Sequence, residues 1–195
     1  MNEQFHEAGA ADNPVAPPLN QFTARDVEEI LRERGWLAAQ SPRCAHDSQA
    51  EQVGAWMENA AALLGPHAPN REALAELVSL IFHYDARATL ATIEAQNVMA
   101  RAGSREVIRE LANLVLDGGT IGSERFKALI DALKAATRYR SRELFHPIRL
   151  ALAGRAGEGE LDRVILLVDS AAALPFATRV KGTRERMLEF CAALE

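Results

Sequence analysis

The chain has 195 residues, of which 48% are hydrophobic and 25% are charged, and these proportions argue for a globular protein rather than a disordered one. Its apolar runs fall short of the ~20 residues that span a bilayer, and residues 1–20 lack the basic start and apolar core of a signal peptide. Two cysteines cannot form a disulfide framework and the net charge is −5, so we expect a cytoplasmic protein with no membrane partner and no strongly electrostatic hold on nucleic acid.

Helical periodicity runs through the chain after a leader over residues 1–22, which is predicted to have little fixed structure. The period-2 alternation of half-buried strands is absent. The pattern therefore predicts an all-α fold of seven to nine helices. The predicted segments are 23–35, 49–64, 70–82, 85–101, 104–118, 123–133, 147–154, 161–168 and 183–194.

Residues that favour helix starts precede several of these segments, and the predicted N-caps are Thr23, Asn70, Asp85, Ser104 and Ser123. Thr23 stands three residues before Asp26, which is the spacing of a capping box. Pro147 is predicted to begin its helix, because the first turn does not use the N–H group that proline lacks.

The apolar run over residues 161–168 suits a strand or a buried helix. Acidic residues flank it and no partner strand is visible, which favours the helix. A glycine pair at 118–119 predicts a division into two helical subdomains that share an interface, residues 23–120 and residues 121–195.

Candidate catalytic and metal-binding residues are few. Cys44, His46 and Asp47 offer three ligand types in four residues, but no second pair of ligands accompanies them, so a solvent loop is favoured over a zinc site. His83 and His146 each lie beside an aromatic residue and are interpreted as core or boundary residues rather than bases. Nucleophile elbows and phosphate loops are missing, so we expect no enzyme, no cofactor and no metal.

Charge is divided unevenly along the chain. Residues 1–133 contain 11 basic and 19 acidic side chains, whereas residues 134–195 contain 11 basic and 8 acidic ones. Between Lys134 and Arg149 five basic residues face the single acid Glu143. This basic segment is either a solvated helix face or an electrostatic footprint for phosphate.

Residues 144–155, with the sequence LFHPIRLALAGR, resemble the Pro-(Leu/Ile)-Arg-x-Ala-Leu-Thr-Gly segment of bacterial glutamyl-tRNA synthetases. The aromatic run ending in Tyr84-Asp85, the basic segment before Pro147 and the apolar helix after Gly159 follow that family's order. The resemblance covers roughly residues 70–170 and implies the all-helical anticodon-binding region. Ala153 stands where the family usually has Thr, and Ala156 to Gly159 replace its Gly-Pro.

The catalytic signatures of that family, His-Ile-Gly-His and Lys-Met-Ser-Lys-Ser, are absent. The resemblance therefore implies the anticodon-binding part alone, with Arg149 near the anticodon. An arginine fork can hold a base edge or a phosphate. Further phosphate contacts are expected from Lys134, Arg138, Arg140, Arg142 and Arg155. The alternative is that Arg149 only ties its turn to a neighbouring carboxylate.

Two functions remain open from the sequence. The first is a stand-alone, non-catalytic module that binds tRNA or another structured RNA through residues 134–155. The second is a helical protein–protein interaction module that has kept the fold and lost RNA binding, which the acidic balance favours.

Overall fold

The computed structural model describes residues 21–37 and 47–195, and every regular element in these ranges is a helix. The predicted all-α class is confirmed. Most of the predicted leader, and Cys44 and His46 of the candidate ligand group, lie outside the described residues. A 3₁₀ turn over Gly65–His67 accompanies ten α-helices: α1 (Ala24–Glu33), α2 (Asp47–Leu64), α3 (Arg71–Phe82), α4 (Ala86–Leu90), α5 (Ile93–Met99), α6 (Ser104–Leu116), α7 (Ser123–Ala136), α8 (Ser141–Ala153), α9 (Glu160–Ala172) and α10 (Thr183–Ala193).

The described residues contain one helix more than the predicted upper number, because the single helix predicted over residues 85–101 is two. α4 ends at Leu90, and α5 begins after Thr92, whose side chain accepts a hydrogen bond from the Ala95 N–H. A threonine that caps a helix favours extended backbone at its own position, so it separates the two elements. The buried-helix interpretation of residues 161–168 is confirmed, since they lie inside α9.

Two of the predicted N-caps are wrong by one residue. Ser104 and Ser123 are the first residues of α6 and α7, and the cap positions are the glycines Gly103 and Gly122. The Ser104 hydroxyl instead donates to the Val98 carbonyl at 2.6 Å, which ties α6 to α5. The predicted caps at Asn70 and Asp85 are confirmed, because each side chain accepts a hydrogen bond from the backbone N–H three residues on.

The prediction that Pro147 begins a helix is wrong, because Pro147 lies inside α8. A proline there leaves the Glu143 carbonyl without its helical donor. Glu143 is an exposed residue near the start of the helix, where water can replace that donor. Tertiary packing supplies the compensation, because Leu144 and every residue from Pro147 to Ala153 are buried.

Helices α8 and α9 form the centre of the packing. α8 contacts α5, α6, α9 and α10, while α9 also contacts α2 and α3. One hydrophobic core cluster includes residues from both sides of positions 118–122. Within the predicted second subdomain the Asp169 carboxylate accepts hydrogen bonds from the backbone N–H groups of Ile121 and Thr183. The division into subdomains stays a prediction.

Arg186 of α10 is fully buried in this core. Its guanidinium donates to the Leu152 carbonyl at 2.8 Å and to the Ile81 carbonyl at 2.6 Å. These carbonyls belong to the last turns of α8 and α3, where a helix has no internal donors left and carries partial negative charge. One buried cation therefore donates hydrogen bonds to carbonyls at the C-terminal ends of two helices.

The ring of Tyr84 faces the same guanidinium. The Arg186 Cζ lies 4.8 Å from the Tyr84 ring centroid, and the Tyr84 hydroxyl donates to the Ala151 carbonyl at 2.5 Å. Burial lowers the pKa of Arg186 to about 10, so the side chain keeps its charge at neutral pH. Burial also raises the pKa of Tyr84, which stays a neutral hydrogen-bond donor.

Candidate nucleic-acid interface

The basic segment forms the end of α7, the connection to α8 and the first two thirds of α8. Thr137 and Arg140 have extended backbone, and Ser141 has a φ of 47° where the chain turns into α8. Tyr139, in the connection between α7 and α8, is buried, and its hydroxyl donates to the Glu106 carboxylate on α6 at 3.1 Å. The connection is therefore anchored rather than loose.

Arg149 lies inside the protein and not on its surface. Its guanidinium donates to both carboxylate oxygens of Asp162, at 2.7 and 2.8 Å, and to the Gly157 carbonyl at 2.6 Å. The side chain is 8% exposed, and the Phe145 ring centroid lies 5.0 Å from the guanidinium carbon. This geometry is the alternative role left open by the sequence, in which Arg149 ties the turn after α8 to a neighbouring carboxylate.

Replacing Arg149 with methionine is expected to lower the free energy of unfolding by about 2 kcal/mol, because Asp162 and the Gly157 carbonyl lose a charged donor in a mostly buried place. Urea unfolding followed by circular dichroism measures this change. Arg163→Met is the matched control, because Arg163 is exposed on α9. Equal stability of the two variants would contradict a structural role for Arg149.

Arg140 is held by the backbone at the end of α7. Its guanidinium donates to the Thr137 carbonyl at 2.9 Å, to the Tyr139 carbonyl at 2.6 Å and to the Lys134 carbonyl at 2.8 Å. Those acceptors include the unsatisfied carbonyls of a helix C-terminus. The main effect of Arg140 in this structure is to close α7 and to shape the turn that carries its neighbours.

The other four predicted contacts are cations near the surface. Arg142 pairs with Glu158 at 3.1 Å, Lys134 with Asp131 at 3.5 Å, and Arg155 with Glu76 at 3.8 Å. Exposed ion pairs of this kind stabilise a protein by at most about 1 kcal/mol. A phosphate can therefore replace the acidic side chain as the partner of the cation. Arg138 is exposed over the Tyr139 ring, with the guanidinium carbon 5.6 Å from the ring centroid.

Arg101 joins this surface although sequence reasoning did not select it. It lies in the turn between α5 and α6, where its Nη1 approaches the Nδ1 atom of His146 to 3.4 Å. It is exposed and forms no ion pair with any residue that the structure describes. Arg101 stands outside the basic segment, and the contacts of α5 and α6 with α8 bring it there.

The part of the chain that the structure describes contains no candidate metal site and no candidate membrane-spanning helix. No group of three or more His, Cys, Asp or Glu side chains is arranged to hold a metal ion among residues 21–37 and 47–195. None of the helices described is both long and apolar enough to cross a bilayer.

Comparison with known proteins identifies one family. The family model of the anticodon-binding domain matches residues 21–169, a range that contains α1 to α8 and most of α9. No curated protein and no solved structure matches the chain.

Proposed function

We propose that this chain, which belongs to the anticodon-binding domain family, binds tRNA through the α7–α8 surface. The family match is the observation that carries the proposal, because it extends over the whole basic segment and the turn after α8. Cations on RNA-binding proteins act mainly by neutralising phosphates. A net charge of −5 requires those cations to be concentrated in one place, and residues 134–195 hold the positive excess.

The geometry divides the basic segment into two groups. Arg138, Arg142, Lys134 and Arg155 are proposed to contact the RNA backbone, because their charges reach the surface. Arg140 and Arg149 are proposed to position the turns that carry them, because their guanidinium groups are already bound to backbone carbonyls or to Asp162.

The finer proposal follows the resemblance of residues 144–155 to glutamyl-tRNA synthetases. On this proposal the chain is a non-catalytic, cytoplasmic module that holds tRNA or another structured RNA near its anticodon arm, and it uses no cofactor. The match to a binding domain rather than to a catalytic one supports the non-catalytic role.

Binding of end-labelled total tRNA, measured by filter binding over a series of salt concentrations, tests the function. We expect saturable binding that weakens with salt, because counterions are released when phosphates are neutralised. The double variant Arg138→Gln/Arg142→Gln is expected to reduce the slope of log K against log salt by about 2, or about 1 per lost contact.

Arg25→Gln is the matched control for this experiment. Arg25 is an exposed arginine of α1, a helix whose main contacts are with α2 and α3. Its replacement is expected to leave the slope unchanged. A wild-type protein that fails to bind tRNA at low salt would contradict the proposal.

The second candidate is a protein-interaction module, and a specific observation favours it. Three surface cations of the basic segment and its turn, Arg142, Lys134 and Arg155, each have an acidic partner within 4.0 Å. A domain that had lost RNA would be expected to neutralise its old phosphate contacts in this way. Recovery of one specific protein after nuclease treatment, together with no tRNA binding, would support this candidate.

A further inference from the structure

The turn between α5 and α6 brings a second source of positive charge to the start of α8. Arg101 in this turn contacts His146, and Arg142 shares helix α8 with it. Arg101 lies 3.4 Å from the imidazole Nδ1, and Arg142 stands one helical turn before His146 on the same helix. The imidazole Nε2 is buried and has no hydrogen-bond partner among the described residues.

Cations outnumber acids around His146. The charged groups that act on it are Arg101 from the turn, Arg142 and Arg149 from α8, and Glu158 from the segment before α9. Burial and then Arg101 lower the pKa of His146, and only Glu158 raises it. Arg149 is compensated by Asp162 and Arg142 by Glu158, but Arg101 has no acidic partner within the described structure.

The backbone of the turn that carries Arg101 is fixed by packing. Gly103, two residues after it, has a φ of 93° and lies directly against the Tyr139 ring, so that a Cβ there would stand 2.0 Å from the Tyr139 Cζ. The Tyr139 hydroxyl donates to Glu106 in the first turn of α6. The turn is thus packed against the α7–α8 connection, and the backbone at Arg101 has a fixed position beside it.

We propose that Arg101 and Arg142, beside His146, form a phosphate-binding site for the backbone of RNA. Two exposed guanidinium groups near one another, Arg101 in contact with the imidazole and Arg142 one helical turn before it, can hold the oxygens of a single phosphodiester with charge-assisted hydrogen bonds. The phosphate would be the negatively charged partner that Arg101 does not have among the described residues. This site rests on the proposed function and deepens it, because it extends the RNA surface from α7 and α8 to the α5–α6 turn.

The salt dependence of tRNA binding tests the site through two substitutions at one position. Arg101→Gln is expected to reduce the slope of log K against log salt by about 1, because one phosphate contact is lost. Arg101→Lys is expected to keep the wild-type slope, since a lysine supplies the same charge. Arg25→Gln, far along the chain on α1, is again the control that should change nothing.

Each result leads to a separate conclusion. A wild-type slope for Arg101→Gln, alongside a reduced slope for Arg138→Gln/Arg142→Gln, would overturn the site and leave the proposed function standing. A reduced slope for both Arg101→Gln and Arg101→Lys would also overturn it, because shape rather than charge would then matter. Absence of tRNA binding by the wild-type protein would overturn the proposed function, and the site with it.

Titration of the imidazole by NMR examines the arrangement without RNA. Arg101→Gln is expected to raise the pKa of His146, because a neighbouring cation is removed. The resonance is assigned by its loss in His146→Gln. An unchanged pKa in Arg101→Gln would place the two side chains apart in solution and would overturn the proposal.

Discussion

Replacing Arg186 with methionine is expected to lower the free energy of unfolding by about 3–5 kcal/mol, because three carbonyls lose their donor at about 1–3 kcal/mol each. Methionine fills similar space but leaves the carbonyls of Leu152, Ile81 and Lys181 without donors. Two of these carbonyls end the helices α8 and α3, so the substitution loosens both ends at once.

Urea unfolding compares Arg186→Met with Arg163→Met, in which the same change is made at an exposed arginine of α9. The control is expected to change stability by less than about 0.5 kcal/mol, as surface substitutions usually do. Arg186→Lys is expected to fall between them, because lysine keeps the charge but not the planar fork that reaches three carbonyls. A loss below about 1 kcal/mol in Arg186→Met would contradict the role assigned to this side chain.

Replacing Gly103 with alanine is expected to cost about 3 kcal/mol or more, from two separate causes. The φ of 93° is unfavourable for any residue with a Cβ, and the added methyl would stand 2.0 Å from the Tyr139 Cζ. Because the ring is buried and its hydroxyl is bonded to Glu106, Tyr139 cannot move away freely.

Two other glycines separate these causes. Gly35 has a φ of 70° and open space around it, so Gly35→Ala is expected to show the backbone cost alone, about 1–2 kcal/mol. Gly54 lies within α2 with nothing near, and Gly54→Ala is expected to stabilise the protein by about 0.5–1 kcal/mol. Urea unfolding of all three variants is the measurement. If Gly103→Ala costs no more than Gly35→Ala, the contact with Tyr139 is not tight.

The steric part can be isolated in a double-mutant cycle. In a Tyr139→Ala background the Gly103→Ala change is expected to cost only about 1–2 kcal/mol, because the clash is gone and the backbone term remains. An undiminished cost in that background would assign the whole effect to backbone conformation.

Local patterns determined the helical class of this protein. Apolar residues at helical spacing placed α3, α6 and α9, and side-chain oxygens at Asn70 and Asp85 marked the starts of α3 and α4, because periodicity and capping depend on neighbours within one turn. The same local reasoning failed at Pro147. A proline is costly inside an isolated helix, but burial of the rest of α8 outweighs that cost.

The tertiary structure determined whether each arginine is buried or exposed and which groups it contacts. The sequence grouped Arg138, Arg140, Arg142 and Arg149 as one basic segment, which is where the charge lies along the chain. The fold then turned Arg149 inward to Asp162 and Arg140 onto the end of α7. A residue's direction and partners depend on how helices pack, and charge counting does not contain that information.

Arg186 and Arg101 show even more clearly that the sequence alone does not predict the partners of a charged side chain. By itself the sequence determined an all-helical chain with its positive excess toward the end, because both properties follow from residue type and local order. Only the tertiary structure buried Arg186 between three carbonyls and brought Arg101 to His146, across 45 positions of chain. Contacts between residues so far apart arise when whole helices pack together. A short stretch of sequence does not determine that packing.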